Sequence, residues 1–503
     1  MDWKAESNVL GNLLNNMENI DMSEMKEKGS LVYLTVICFI TTLGGFLFGF
    51  DTAIVSGAIG FVKQQFALDA VWEGWVVSSA VFGCIFGAAF AGPLTDKFGR
   101  KNILILASIF LLISCVWCVY PNSAYWLVVA RIIGGFGVGI TSMAAPVYIS
   151  EISPPSLRGR LVSFYQLSIT LGILFSFFVN ALILNHAGDK AGVISEQGGF
   201  FHKIFVSEIW RGMFGTETIP AMAFLVTLLF IPESPRWLIR NGQNDKALNI
   251  LVRICGQAEA KKEFTDINEM IKMESGSIWE IFSAPFRRPL AIGIMLPVFA
   301  HLSGIAAVMY FAPKILSEAG LSLGGSFGGA VTIGLINSVF TFLAIWKIDK
   351  LGRRPLLLTG ITGAFISLSL VAVLFYIDIS HKVLILVPLL CYIAFFAFSF
   401  GPGVWVVISE IFPTRVRGSA VGIGALALWI TAFIISQTLP KLIEGIGAGN
   451  TFLVYALLTA PALYFVWVMI PETKGKTLEE IERHWISINE AKKKKELVNE
   501  KAT

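Results

Sequence analysis

The sequence predicts an all-helical membrane protein whose twelve transmembrane helices form two related six-helix bundles. The 503-residue chain is 55% apolar and only 15% charged, whereas an ordinary soluble domain carries about 25% charged residues. Apolar runs close to the ~20 residues that cross a hydrocarbon core recur along the whole chain. Three short motifs also occur twice, at matching places in the first and second halves, which indicates an internal repeat.

Hydropathy marks the twelve predicted spans one by one. Their limits are 31–60, 72–95, 102–120, 124–146, 160–185, 212–231, 289–317, 323–347, 355–376, 382–409, 418–439 and 451–470. The basic clusters KFGRK, RGR and KLGRR follow even-numbered spans, as does the long segment 232–288. Because short loops rich in Lys and Arg stay in the cytoplasm, we expect a multi-pass protein of the cell membrane with both termini cytoplasmic.

The predicted spans divide the chain into five parts. Within the middle segment, NDKALNILVRIC (244–255) places apolar residues at helical spacing between charges, which is typical of an amphipathic helix. Five of the six cysteines lie inside apolar runs, which favours packing residues over metal ligands or disulfides. The expected parts are a cytoplasmic N-terminal segment (1–30), an N-terminal six-helix bundle (31–231), an intracellular helical linker (232–288), a C-terminal six-helix bundle (289–470) and a cytoplasmic tail (471–503).

The repeated motifs lie at the ends of the even-numbered spans. GPLTDKFGRK matches IDKLGRR, and YISEISPPSLRGR matches VISEIFPTRVRG. The first half ends in IPESPR and the second in IPETKG, and each motif recurs after about 240–260 residues. Parallel halves related in this way place a binding site at their interface, open alternately to each side of the membrane.

The charges in these motifs predict a network on the cytoplasmic side. Each copy has an acid at a helix end, a glycine that allows a tight turn, and basic residues three or four positions on. Such a network would hold the inward mouth shut and break when it opens; the alternative is ordinary loop charge. Its predicted members are Asp96, Arg100, Glu151, Arg158, Asp349, Arg353, Glu410 and Arg417.

The motif set resembles the sugar porter family of the major facilitator superfamily, from about residue 31 to residue 482. It is similar to bacterial sugar–proton symporters of the xylose-proton type and to the facilitative glucose carriers of animals. The resemblance implies the major facilitator fold and transport of a monosaccharide or polyol, with no covalent chemistry.

One acid interrupts the first apolar run, at Asp51 in GGFLFGFDTAIVSG. Placing an aspartate at the centre of a membrane span costs roughly 2.5–3.5 kcal/mol of insertion free energy. We therefore expect Asp51 to have a function. The resemblance implies that Asp51 carries the transported proton, with Glu217 as a further charged position. Arg131 is the expected partner because it is the only charge in the fourth span. The alternatives are a static Asp51–Arg131 ion pair and, for Glu217, an exposed acid near a helix end.

The sequence differs from the family pattern at the positions that contact the sugar. Span 7 of the family carries QQxxGxN, and here the stretch is AHLSGIAAVMYFAP, so that Ala300, His301 and Ala306 replace two glutamines and an asparagine. A further amide of the family appears as Leu428. The loss of these groups implies a weaker or different polar pattern around the substrate.

Several polar and aromatic residues of the family's substrate site are retained in this sequence. His301 is the one polar residue that stands where the family has a different residue. Tyr310 matches an aromatic of the extracellular gate. His301 could instead be a packing residue, and Trp405 one more membrane aromatic. The expected substrate-binding residues are Gln166, His301, Asn337, Trp405 and Trp429.

The predicted function is therefore proton-coupled uptake of a sugar or sugar-like polyol. The alternatives are an uncoupled facilitative carrier in which Asp51 is structural, an organic-solute or drug exporter, and a transporter-derived sensor. No nucleophile–base pair, metal-ligand spacing or nucleotide loop appears, so we expect neither an enzyme nor a cofactor. The expected partners are the substrate, the proton and the lipid bilayer, without nucleic acid, and the expected state is a monomer.

Overall fold

A computed structural model describes residues 29–188, 199–273, 281–283, 286–377, 382–412 and 414–474, together with residues 480, 481, 483, 485 and 487. Every regular element within these ranges is a helix. Ten of the described helices or helix pairs are long and apolar enough to cross a membrane. The N-terminal segment up to residue 28 and most of the tail after residue 474 lie outside the described residues.

The first half contains six spans. They are span 1 (Leu31–Phe66), span 2 (Ala70–Phe98), span 3 (Arg100–Trp117), span 4 (Ala124–Ile152), span 5 (Pro155–Ala187) and span 6 (Ile209–Thr216 with Thr218–Leu228). A short helix (Phe200–His202) and a π-helical turn (Lys203–Ser207) precede span 6.

The second half repeats this arrangement after three linker helices (Pro235–Arg240, Asn244–Cys255 and Gln257–Met273). A 3-10 turn (Lys382–Ile385) precedes span 10. The spans are span 7 (Arg287–Leu302 with Ile305–Glu318), span 8 (Leu323–Leu351), span 9 (Arg353–Tyr376), span 10 (Leu386–Phe398 with Phe400–Ile411), and spans 11 and 12 in the one helix Thr414–Met469.

The twelve predicted spans are confirmed, although some helices are broken or joined. Span 6 is divided at Glu217 into two short helices, so it does not count among the ten long ones. Spans 11 and 12 form one continuous helical segment that is interrupted only at Gly447. The φ of Gly447 is 79°, which lies outside the helical region, and the chain reverses direction there. Span 7 is broken at Gly304, where φ is 86°, a conformation that glycine adopts without strain.

Close backbone contact holds the first half together. A Cβ atom on Gly49 of span 1 would lie 1.9 Å from the Ile169 carbonyl oxygen of span 5. A Cβ on Gly135 of span 4 would lie 1.9 Å from the Ala80 carbonyl oxygen of span 2. Small residues of this kind let membrane helices pack backbone to backbone, so these pairs form a rigid unit.

The linker helices pack on one face of the bundle and enclose a small core of their own, which includes Leu238, Leu251 and Ile267. The backbone N–H of Ser30, just before span 1, donates to the Arg253 carbonyl oxygen at 2.9 Å. We call the face that carries this linker and the motifs at 96–101 and 349–354 the linker face. The opposite face, with the turns at 67–69 and 319–322, is the far face.

Candidate functional site

A buried ion pair joins spans 1 and 4 at the predicted coupling residues. Arg131 Nη1 donates to Asp51 Oδ1 at 3.2 Å, and Arg131 is only 1% exposed. Arg131 Nε also donates to the Val76 carbonyl oxygen of span 2 at 3.0 Å, and the guanidinium lies 5.3 Å from the Phe214 ring centroid. The arginine is thus anchored on spans 2 and 6, while the carboxylate partner belongs to span 1.

Glu217 joins this charge cluster from the break in span 6. It is 3% exposed, so the alternative of an exposed acid is wrong: the residue lies at a helix end, but that end is packed inside the bundle. Asp51 and Arg131 are the charged groups that act on it. Its Oε1 has no hydrogen-bond partner within the described part of the chain. The structure therefore brings the three predicted coupling residues together.

Tyr310 closes the cluster from the second half. It lies in the far-face part of span 7 and is buried. This part of span 7 packs against span 1, and the Tyr310 side chain lies within electrostatic reach of Thr52, Asp51 and Arg131. The predicted gate aromatic therefore lies near the predicted coupling site.

The predicted substrate residues come from both halves. Gln166 of span 5 lies one helical turn from Thr170, whose carbonyl oxygen accepts from Ser338 of span 8 at 3.0 Å. Asn337, next to Ser338, is buried. Gln166 and Asn337 therefore lie on two spans that touch across the interface of the halves.

The aromatic and histidine candidates lie on spans 7, 10 and 11. Trp429 is buried, and its ring centroid lies 5.1 Å from that of Phe48 in span 1. Trp405 is half-buried. His301 Nδ1 is 3.3 Å from the Pro297 carbonyl oxygen of its own helix. That contact leaves both interpretations of His301, ligand and packing residue, open.

The positions that depart from the family pattern line the protein interior. Ala300 and Ala306 are buried, and Leu428 packs half-buried against the main core. Apolar surface therefore stands where the resemblance led us to expect amides.

The charges of the repeated motifs form one compact cluster in each half. In the first half, Arg100 Nη2 contacts Glu151 at 2.9 Å and Asp96 at 3.2 Å. Glu233 of the PESPR motif accepts the backbone N–H groups of Arg100 and Lys101 at 2.9 and 3.1 Å. Burial raises the pKa of the Glu233 carboxyl, and these backbone donors only partly offset the shift.

The second half repeats the cluster almost residue for residue. Arg353 Nη2 contacts Glu410 at 2.7 Å. Glu472 of the PETKG motif accepts the backbone N–H groups of Arg353 and Arg354, each at 3.1 Å. Burial acts to raise the pKa of Glu472, but its backbone N–H donors outweigh that effect and hold the pKa below its usual value.

The predicted network therefore differs in two ways from what the motifs indicated. Arg158 contacts Glu263 of the linker at 4.0 Å, not the Arg100 cluster. Glu233 and Glu472 cap the starts of spans 3 and 9 and were not predicted as members, although both lie in the repeated motifs. The side chains of Asp349 and Arg417 lie outside the described residues.

The protein has two halves of six spans each, a charge cluster buried inside the first half, and polar residues on both sides of the interface between the halves. These features define a membrane transporter. The family model described as "Sugar (and other) transporter" matches residues 37–485. The chain belongs to this family, and it is a transporter and not an enzyme.

Relatives and solved structures agree with this assignment. The chain is 36% identical to the arabinose-proton symporter of Bacillus subtilis (strain 168) over 458 residues, which are 91% of this chain and 96% of that protein. It is 35% identical over 487 residues to the D-xylose-proton symporter of Escherichia coli (strain K12), covering 90% and 96% of the two chains. The partially occluded inward open structure of the xylose transporter XylE from E. coli aligns with a TM-score of 0.77 at 33% identity, over 88% of this chain and 99% of that one.

Proposed function

We propose that this protein takes up a monosaccharide or sugar-like polyol together with a proton, by alternating access between its two halves. The moving units are residues 31–231 and 289–470, joined by the linker 232–288. The protein works as a monomer in the cell membrane, with both termini and the linker face in the cytoplasm. The basic loops after the even-numbered spans support this orientation.

The observation that carries the proposal is the charge balance of the buried cluster. Asp51 and Glu217 are two carboxyl groups, and Arg131 supplies one guanidinium. With all three ionised, the cluster holds one negative charge in excess, which is costly away from water. Binding one proton removes that charge. A static Asp51–Arg131 pair would not explain why a second, incompletely bonded carboxyl lies beside it.

The same cluster explains how the proton could drive the halves. Arg131 is held by the span 2 backbone, so protonation of Asp51 weakens the tie between span 1 and span 4. The far-face part of span 7, which carries Tyr310, packs against span 1, so a movement of span 1 acts on the other half. The names of the two symporter relatives support coupling over the facilitative or exporter alternatives.

The proposed substrate site lies between Gln166 of the first half and His301, Asn337, Trp405 and Trp429 of the second. Amides of spans 5 and 8 would bond hydroxyl groups, and the tryptophans would cover an apolar face of the ring. The buried alanines at 300 and 306 support a substrate that makes fewer polar contacts with span 7. Tyr310 is the proposed extracellular gate.

Uptake into liposomes tests coupling and substrate class together. Purified protein is given labelled pentoses, hexoses and inositols, with and without an imposed pH gradient. We expect Asp51→Asn to lose gradient-driven accumulation but to keep counterflow exchange, because asparagine mimics the protonated carboxyl. Glu208→Gln, which removes a buried acid paired within the first half, is the control that should still accumulate substrate. Accumulation by Asp51→Asn against a gradient would show that Asp51 is structural.

His301 separates the two interpretations of the substrate site. Loss of a buried hydrogen-bond partner costs about 1–3 kcal/mol, or roughly 5–150-fold in affinity. We therefore expect His301→Leu to weaken binding by that factor and His301→Gln to retain transport. Normal transport by His301→Leu would make His301 a packing residue.

A further inference from the structure

Four charged side chains tie the two halves together at the far face. Lys63 of span 1 contacts Glu73 of span 2 at 2.8 Å and Glu444, in the last turn of span 11 before the break at Gly447, at 3.0 Å. Lys314 of span 7 forms a further ion pair with Glu73. We call these four residues the far-face latch. Two of its three ion pairs, Lys63–Glu444 and Lys314–Glu73, cross from one half to the other.

Glu73 is the central member. It is 1% exposed, and its two carboxylate oxygens are divided between Lys63 and Lys314. A buried carboxylate is tolerated only when it is paired and hydrogen-bonded. Opening the far face would take Lys314 away from Glu73, so the pair favours the closed arrangement as long as Glu73 stays buried.

The surrounding contact is also tight. Ser78 of span 2 donates to Gln437 Oε1 of span 11 at 2.6 Å, and Gln437 Nε2 donates to the Val71 carbonyl oxygen at 3.2 Å. A Cβ on Gly74 would lie 2.6 Å from the Gln437 carbonyl oxygen. Span 2 and span 11 therefore meet without a gap next to the latch, and Ser78 is buried there.

The latch is connected to the coupling site through span 7. Lys314 lies four residues after Tyr310 in Ile305–Glu318, and the helix bends between them at Phe311, where φ is −130° and ψ is 22°. This half of span 7 begins after the break at Gly304, where Tyr392 of span 10 donates to the Ser303 carbonyl oxygen at 2.9 Å. The half-helix thus has a break at one end and an ion pair to Glu73 at the other, with Tyr310 between them.

We propose that Glu73 is a positioning residue that holds the far-face half of span 7, and with it Tyr310, closed over the Asp51 cluster. Lys314 is its partner across the halves, and Lys63 orients the carboxylate while making the second tie to Glu444. The latch involves neither the proton nor the sugar. It goes beyond the proposed function and concerns only which face of the protein is shut.

Labelling of a buried cysteine tests the latch without substrate and without any assumption about orientation. The parent protein carries Ser78→Cys, with Cys255 and Cys391 replaced by serine because the other four native cysteines are buried. Reaction of the purified protein with a thiol reagent in detergent then reports separation of spans 2 and 11. We expect Glu73→Gln and Lys314→Met each to raise the labelling rate about ten-fold or more, the effect of losing a charge-assisted hydrogen bond.

Conservative and matched controls make the result specific. Lys314→Arg keeps the charge and should label at the parent rate. Glu208→Gln removes a buried far-face carboxylate whose partners Arg211 and Gln65 belong to the same half, so it should also label at the parent rate. Parent-rate labelling of Lys314→Met would overturn the proposal, even if Glu73→Gln failed to fold. Equal acceleration by Glu208→Gln would overturn it too, because general loosening would then explain the effect.

Discussion

The linker face and the far face both carry ion pairs, but those of the linker face join residues of one half and two of those on the far face join residues of different halves. On the linker face, Arg100–Glu151 lies within the first half and Arg353–Glu410 within the second. On the far face, Lys63–Glu444 and Lys314–Glu73 join one half to the other. The ion pairs of the linker face therefore stabilise each half, whereas Lys63–Glu444 and Lys314–Glu73 hold the two halves together in this state.

The physical reason lies in what each carboxylate bonds. Glu233 and Glu472 accept backbone N–H groups at the starts of spans 3 and 9, where a helix leaves donors unsatisfied and favours negative charge. Those bonds move with their own half. On the far face, Lys63–Glu444 and Lys314–Glu73 join side chains of different halves, so both pairs are broken whenever the halves separate at that face. A conformation closed at the linker face would need contacts between the Arg100–Glu151 cluster and the Arg353–Glu410 cluster. The prediction that these charges hold the inward mouth shut therefore stays a prediction.

The largest expected effect is on the stability of the first-half cluster. The side chains of Arg100 and Glu151 are both nearly buried, 9% and 6% exposed, whereas that of Glu410 is 24% exposed. Arg100→Met leaves a buried carboxylate without its charge partner, which costs about 3–5 kcal/mol. Arg353→Met should cost about 1–3 kcal/mol because water reaches its partner. Apparent melting temperatures in detergent check this order, and an equal or larger drop for Arg353→Met would contradict it.

A smaller effect is expected in how the stabilising contributions of Glu233 and Glu472 depend on pH. The pKa of Glu472 is lowered, so its contribution to stability is present above pH ~4.5 and is lost as the pH falls through the lowered pKa. The pKa of Glu233 is raised, so ionisation in the folded state weakens stability as the pH rises from ~4.5 through the raised value.

Glutamine substitutions should reveal this difference as opposite pH dependences of the change in melting temperature. With increasing pH, Glu472→Gln should become more destabilising relative to the unsubstituted protein, and Glu233→Gln less so. Melting temperatures measured from about pH 3 to pH 7 cover both windows, the one for Glu472 below pH ~4.5 and the one for Glu233 above it. Parallel slopes would mean that the two caps, despite their matched geometry, share one electrostatic environment.

The smallest effect is expected at Arg158. Its contact with Glu263 spans 4.0 Å and the arginine side chain is 44% exposed. Exposed pairs contribute about 0–1 kcal/mol, so Arg158→Ala should leave the melting temperature nearly unchanged. A drop as large as that of Arg353→Met would show that this pair fastens the linker to the first half.

Local information in the sequence was sufficient for the spans and for the central pair. A helix in lipid satisfies its own backbone hydrogen bonds, so each span is readable from about 20 neighbouring residues. Asp51 and Arg131 are conspicuous as charges within such runs, and their pairing followed from there being one basic residue in span 4. The repeated motifs placed Arg100, Arg353, Glu151 and Glu410 in one expected network with Arg158 and Arg417, and the structure pairs Arg100 with Glu151 and Arg353 with Glu410.

Only the tertiary structure decided which charges are buried and which bonds cross the halves. Glu217 is next to a helix end in sequence, yet packing of spans 1, 3 and 4 around that end encloses it. Lys63 and Glu444 are 381 residues apart, and no periodicity relates them. Which face of a two-half transporter is closed depends on the relative position of two rigid bodies, and one sequence serves both arrangements. That position is a property of contacts between helices and is not encoded in any single helix.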